Sequence, residues 1–294
     1  MKKIIFKGCG TAISTPFTED GVNFEEFGKL LEDQIQNKVD AIIVCGTTGE
    51  ASTMTVDERK ETIKYAVEKV AGRVPVIAGT GSNCTAQAVE MTKFVESIGV
   101  DGALVVTPYY NKTTQDGLVA HYRTIAESTK LPIILYSVPS RTGVNILPET
   151  CKKLSEIENI VAIKEASGNI SQIAEIAKLC GDELNIYSGN DDQIVPIMSL
   201  GGLGVISVLS NIMPEYTHNI TENYANGNVR EACKMQLESI DLIKALFSEV
   251  NPIPVKQALN FMGYHYGKPR LPLVPMSEAK AEKLKEEMKK FDLV

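Results

Sequence analysis

The chain is poor in the groups on which metal and nucleotide chemistry usually rest. Histidine occurs only as His121, His218 and His265, far apart and without the H-E-x-x-H spacing that puts two imidazoles on one helix face. The six cysteines, Cys9, Cys45, Cys84, Cys151, Cys180 and Cys233, never form a C-x-x-C pair, so free thiols in a reducing compartment are expected. No G-x-x-x-x-G-K-[ST] segment is present for nucleotide phosphates, and Gly79-Thr80-Gly81-Ser82-Asn83-Cys84 lacks the last glycine of a dinucleotide fingerprint. These gaps predict neither a metal nor a nucleotide cofactor. Nor does any window approach the ~18 to 20 uninterrupted apolar residues that a membrane helix needs, which argues against a membrane protein. Met-Lys-Lys-Ile-Ile-Phe starts like a signal peptide, but Lys7 and the polar stretch 8–11 interrupt it, which predicts a mature cytoplasmic N-terminus. Positive charge is not in excess either. Lys and Arg number 30 against 37 Asp and Glu, a net charge of -7 that repels a phosphate backbone and argues against nucleic acid as a partner.

What is present is an alternation. In 294 residues, 44% of them hydrophobic, short Val- and Ile-rich runs alternate with longer amphipathic stretches. Strands are expected at 11–16, 41–45, 74–78, 102–107, 132–138, 160–164, 185–188 and 205–209. Their apolar runs are continuous rather than alternating, as in strands covered on both faces. Helix ends are readable between them. Thr55 with Glu58 forms a capping box, Gly72 and Gly181 are stops, and Pro148 suits a first helical position. Gly201, Gly202 and Gly204 suit a tight turn into the last strand. The pattern predicts an α/β fold, a (β/α)8 TIM barrel over residues 1–225. A C-terminal helical extension is expected over 226–294. Helical patterns after the last strand run at 214–225, 229–247, 255–262 and 277–290, more than one barrel helix requires.

A barrel keeps its active site at the C-terminal ends of its strands. There, Gly46-Thr47-Thr48-Gly49-Glu50 offers backbone N–H groups and hydroxyls to a small anion, or is simply a turn. Lys164 interrupts the apolar run Ile160-Val161-Ala162-Ile163. Desolvation there disfavours the ammonium, and a neutral amine can attack a carbonyl to form a Schiff base. The alternative is a strand-end lysine paired with Glu165. Tyr136 ends one strand and Tyr109-Tyr110 follow another. Each alone reads as a core tyrosine, but beside a lysine and hydroxyl residues phenols can pass protons to a carbonyl addition intermediate. Arg141 adds a planar donor fork suited to a carboxylate, unless it is a solvated loop residue.

Taken together, Gly46-Thr47-Thr48-Gly49-Glu50, Tyr109-Tyr110-Asn111, Tyr136 with Val138-Pro139-Ser140-Arg141-Thr142-Gly143, and Ile163-Lys164-Glu165-Ala166-Ser167 resemble the pyruvate-dependent, class I aldolase-type lyases of the dihydrodipicolinate synthase and N-acetylneuraminate lyase superfamily. Ser188-Gly189-Asn190-Asp191, Gly204-Val205-Ile206-Ser207 and Asn251-Pro252-Ile253-Pro254-Val255-Lys256 extend the likeness. The Pro-Ser-Arg-Thr-Gly segment resembles the dihydrodipicolinate synthase branch. That resemblance implies a lyase that condenses pyruvate with L-aspartate 4-semialdehyde at the entry to diaminopimelate and lysine synthesis. It implies an imine on Lys164 and no organic cofactor. Tyr136, Thr47 and Tyr110 would relay protons, Thr47 and Thr48 would hold the pyruvate carboxylate, Ile206 would line the pyruvate site, Gly189 would belong to the substrate-binding set, and Arg141 would receive the second substrate. Tyr110 would be shared across a homodimer, with a homotetramer built from two such dimers.

Ser137 departs from the asparagine common in the family after the tyrosine, a change expected to be tolerated. Family members inhibited by lysine hold it at the dimer interface through two histidines, a glutamate, an asparagine and a tyrosine. Here Asn83 and Tyr109 remain beside Ser52, but the histidine positions are Val56 and Arg59 and the glutamate position is Gln87. A cationic ligand would lose its carboxylate and meet an added positive charge, so lysine feedback should be weak or absent. Two rivals remain: a lyase of the same superfamily acting on a sugar-derived 2-keto acid, and a non-catalytic 2-keto acid sensor.

Overall fold

The computed structural model describes residues 2–294. Eight strands among them, β1 (Gly8–Ala12), β2 (Ala41–Val44), β3 (Val76–Gly79), β4 (Gly102–Val106), β5 (Ile133–Ser137), β6 (Ile160–Glu165), β7 (Asn185–Ser188) and β8 (Gly204–Ser207), pair in parallel and in sequence order. β8 pairs back onto β1 through Gly8↔Gly204 and Thr11↔Ser207, which closes the (β/α)8 barrel. At that seam Gly204 has φ +148, and a Cβ on it would lie 1.9 Å from the Gly8 carbonyl oxygen, so only glycine fits.

The helices are α1 (Phe24–Gln36), α2 (Val56–Val70), α3 (Thr85–Ser97), α4 (Gln115–Glu127), α5 (Pro139–Thr142), α6 (Pro148–Ser155), α7 (Ile170–Cys180), α8 (Ile194–Met198), α9 (Pro214–Ala225), α10 (Val229–Glu238), α11 (Ile240–Leu246), α12 (Ile253–Phe261) and α13 (Glu278–Lys289). The capping box of α2 is formed: Glu58 N–H donates to Thr55 Oγ1 at 3.2 Å, and Thr55 N–H donates to Glu58 Oε2 at 2.8 Å. Its C-terminal turn is left-handed at Ala71 (φ 50) and again at Gly72 (φ 72). Pro148 opens α6, and Gly181 (φ 51) ends α7.

Both strand faces are buried, which explains the unbroken apolar runs. One face fills the barrel with Ile43, Ile77, Leu104, Ile134 and Ile206, floored by Phe6 stacked on Tyr187 at 4.4 Å. The other face meets the helices, as Ile42 and Val44 meet Phe27, Leu30 and Ile63. That outer cluster continues without a break into Leu242, Leu246, Leu259, Leu284 and Met288 of α11 to α13. At about 25 cal/mol per Å² of apolar surface, a shared core of this kind holds the last helices firmly to the barrel.

Among the boundaries that differ from the sequence expectation, three have a visible cause. β1 lies earlier than 11–16, because its glycines pair with β8 and the chain then leaves the sheet. Ser14 N–H donates to Asn211 Oδ1, and Phe17 N–H to the Tyr266 carbonyl. β8 ends at Ser207 rather than 209, since the N–H groups of Val208 and Leu209 turn to the Asp191 carboxylate at 3.0 and 2.9 Å. The single helix expected over 229–247 is two, broken at Ser239. Just before the break, the buried Gln236 spends its amide on the β7–α8 connection, donating to Asp191 O at 2.8 Å and accepting from Val195 N–H at 3.3 Å.

Candidate active site

Lys164 sits at the C-terminal end of β6 in register with Tyr136 of β5 and is 5% exposed. Its Nζ lies 4.4 Å from the Tyr136 ring centroid. The pairing with Glu165 that the sequence left open is not made. Consecutive strand residues face opposite ways, and the Glu165 carboxylate accepts instead from Ser167 N–H at 2.6 Å and Gln172 Nε2 at 3.1 Å. Burial raises the Glu165 pKa. Among the described residues no ion pair includes Lys164. Gly189, after β7, makes room for the lysine stem: a Cβ there would stand 3.1 Å from Lys164 Cε and 2.7 Å from Ala166 Cβ.

A cavity of about 270 Å³ opens beside Tyr136, and Thr47 and Arg141 line it too. Four strand ends, β2, β3, β4 and β5, thus contribute to one opening, whose apolar wall includes Leu104 and Val106. Ile206 belongs to the apolar barrel interior with Tyr136 and Tyr187. Arg141 lies in α5, the short helix whose end is fixed by Gly143 at φ 69 and by Thr142 Oγ1, which donates to carbonyls of Val138 (3.3 Å) and Val144 (3.0 Å). Ser137 Oγ donates to Asn145 Oδ1 at 3.1 Å and accepts from Ile146 N–H at 3.3 Å, so this departure from the family pattern is fully bonded.

The Thr47-Thr48 turn is held from behind by side chains that sequence reasoning did not single out. Glu50, in the left-handed conformation (φ 53), pairs with Lys256 at 2.6 Å, and the two are 0% and 1% exposed. Glu50 Oε2 also accepts from Arg270 N–H at 3.0 Å, while Lys256 Nζ lies 4.3 Å from the Phe17 ring centroid. Asn251 Nδ2 donates to Thr48 Oγ1 at 3.0 Å, and the Asn251 carbonyl accepts from Arg141 Nη2 at 3.3 Å. No local pattern signals these contacts, because those made by Thr48 and Glu50 reach residues some two hundred positions away.

Tyr110 stands apart. It follows β4 with φ 69 and is 92% exposed, outside the cavity of its own chain. Tyr109, Ser52 and Arg59 line the cavity that holds Thr47 and Tyr136, and Arg59 Nη2 donates to the Gly79 carbonyl at 3.0 Å. Val56 is exposed at the start of α2, while Gln87 is engaged with Ser82 Oγ at 3.1 Å and Asn83 accepts on its carbonyl from Asn111.

A closed parallel barrel with a buried lysine, a tyrosine and an arginine grouped at its C-terminal end has the form of a (β/α)8 lyase. The chain belongs to the dihydrodipicolinate synthetase family, whose model matches residues 5–291. It is similar to the 4-hydroxy-tetrahydrodipicolinate synthase of Thermoanaerobacter pseudethanolicus, 60% identical over 291 residues, covering 99% of this chain and 98% of that one. The 4-hydroxy-tetrahydrodipicolinate synthase 1 of Clostridium acetobutylicum is 58% identical over 290 residues, covering 99% of each chain. Among solved structures, the dihydrodipicolinate synthase of Thermotoga maritima superposes with a TM-score of 0.97 at 44% identity, over 99% of this chain and 100% of that one.

Proposed function

We propose that this lyase condenses pyruvate with L-aspartate 4-semialdehyde, giving 4-hydroxy-tetrahydrodipicolinate, through an imine on Lys164 and without any cofactor. The observation that carries this reading is the buried Lys164, in no ion pair among the described residues, against Tyr136, with Arg141 on the wall of the cavity that Tyr136 lines. The Lys164 amine adds to the pyruvate carbonyl and expels water, and loss of a methyl proton gives the enamine. The enamine carbon attacks the aldehyde of the second substrate, whose oxygen becomes the hydroxyl of the product. The amino group of that substrate then displaces Lys164 from the imine carbon and closes the ring. Tyr136, Thr47 and a partner subunit's copy of Tyr110 carry protons to and from the addition intermediates. Thr47 and Thr48 hold the pyruvate carboxylate, with Ile206 and Gly189 lining its methyl side. Arg141 takes the carboxylate of the semialdehyde.

The outward Tyr110 supports a homodimer as the active unit, with a homotetramer as its assembly. The catalytic barrel is assigned to 1–225 and the extension to 226–294, in a cytoplasmic protein. With Val56, Arg59 and Gln87 where a cationic effector would need imidazoles and a carboxylate, feedback by lysine is weak or absent.

The test is pyruvate consumption by the purified protein with aspartate 4-semialdehyde, beside N-acetylmannosamine and simple sugar aldehydes. Turnover restricted to aspartate semialdehyde, lost in Arg141→Ala, is expected. Preference for a sugar aldehyde would overturn the substrate assignment, and absence of a borohydride-trapped pyruvate adduct on Lys164 would overturn the chemistry.

A further inference from the structure

Asn251 lies in the extension, just ahead of α12, and is 5% exposed. Its side chain makes one hydrogen bond, from Nδ2 to Thr48 Oγ1, while its Oδ1 is buried and has no partner among the described residues. Thr48 is itself buried, only 3% exposed, and among the described residues its hydroxyl donates to no protein acceptor. A hydroxyl has one proton and two lone pairs. With an amide N–H already on a lone pair, the proton is left for an acceptor that the protein does not supply. The block carrying Asn251 cannot swing away, because Lys256 in the following helix is locked to Glu50 of the same turn and Thr15 Oγ1 holds the Gly49 carbonyl at 2.8 Å.

We infer that Asn251 is a positioning residue that sets the hydrogen-bond polarity of the anion cradle, forcing the Thr48 hydroxyl to act as a donor toward a carboxylate. This inference rests on the reading that Thr48 serves the pyruvate carboxylate. It makes the C-terminal extension part of substrate recognition, since the same residue also carries Arg141 on its carbonyl. Were the amide reversed, Oδ1 would accept the Thr48 proton and the cradle would offer the carboxylate a lone pair, which repels it.

The polarity gives Asn251→Asp an effect opposite to that of a merely structural role. Aspartate matches asparagine in shape, so a packing residue tolerates it better than alanine. As a polarity setter it is worse, because a carboxylate captures the Thr48 proton and adds a like charge near the pyruvate carboxylate. The measurement is KM for pyruvate and kcat at saturating pyruvate, for Asn251→Asp, Asn251→Ala, Thr48→Val and the Thr48→Val/Asn251→Ala double variant. Asn251→Ala is expected to raise KM roughly three- to tenfold with little change in kcat, and Asn251→Asp to raise it further. The double variant should match Thr48→Val alone, since the amide acts only through that hydroxyl. If Asn251→Asp does not fold, the double variant still decides. An Asn251→Asp enzyme closer to wild type than Asn251→Ala, or effects that multiply in the double variant, would overturn the inference. A Thr48→Val enzyme with unchanged KM for pyruvate would instead remove the carboxylate reading beneath it.

Discussion

Glu50 and Lys256 stand 206 positions apart in the chain and form a 2.6 Å ion pair that solvent does not reach. Removing water from two charges is costly, and burial holds the Lys256 pKa down despite the opposing pull of Glu50. The pair persists because its remaining valences are used, on Arg270 N–H, Thr53 Oγ1 and the Phe17 ring. Its position behind Thr47 and Thr48 makes it the hinge pin between barrel and extension.

Breaking one half of that pair leaves a buried, uncompensated charge. Lys256→Met should lower unfolding free energy by about 3–5 kcal/mol in urea titrations, and Glu50→Gln added to it should restore part of the loss. A double variant no more stable than Lys256→Met would show that the charges are not coupled.

Tyr110 is 92% exposed in a single chain, although tyrosine buries well and this one is proposed to act in catalysis. If each site borrows it from a partner, Tyr110→Phe and Lys164→Ala, both inactive alone, should complement. Equal mixing after subunit exchange would regenerate about one quarter of wild-type activity, because half the dimers then hold one intact site of two. Persistently inactive mixtures would place the tyrosine in its own chain's chemistry.

Free lysine at millimolar concentration should leave the rate of pyruvate consumption unchanged. Arg59, whose Nη2 holds the Gly79 carbonyl, presents a guanidinium to the cavity wall. An ammonium ligand meets like charge at short range there. Inhibition by half or more would sink the prediction.

His121 couples stability to pH. Its ring lies buried on α4, with Nδ1 2.9 Å from Thr85 Oγ1 and Nε2 without a partner among the described residues, and burial pushes its pKa down to about 4 from 6.5. An unfolded chain takes up the proton as pH falls through 6.5, whereas the folded protein resists until about 4. Stability from this group is therefore complete above pH 6.5 and lost as pH falls toward 4, by up to about 3 kcal/mol. His121→Gln should flatten the slope of unfolding free energy across that window; an unchanged slope would assign it to other groups.

Legibility in the sequence followed the range of the interactions. The barrel could be read because strands buried on both faces carry unbroken apolar runs such as Ile133-Ile134-Leu135, and because Thr55, Pro148 and Gly181 act on their own helix ends. Lys164 showed because charge within such a run is out of place. β1 is illegible where glycine carries the pairing and no side chain reports it, and the break at Ser239 stays hidden because Gln236 is drawn away by a distant loop. Asn251 was visible only as part of a motif; its tie to Thr48 is a product of folding.

The seam between Gly8 and Gly204 has a consequence for synthesis. The strand that closes the barrel leaves the ribosome long after the first has emerged, so β1 must wait with an unpaired edge while the other strands assemble. No partial chain that lacks β8 can satisfy both edges of the sheet, so the closed barrel is a property of the chain only once β8 has arrived.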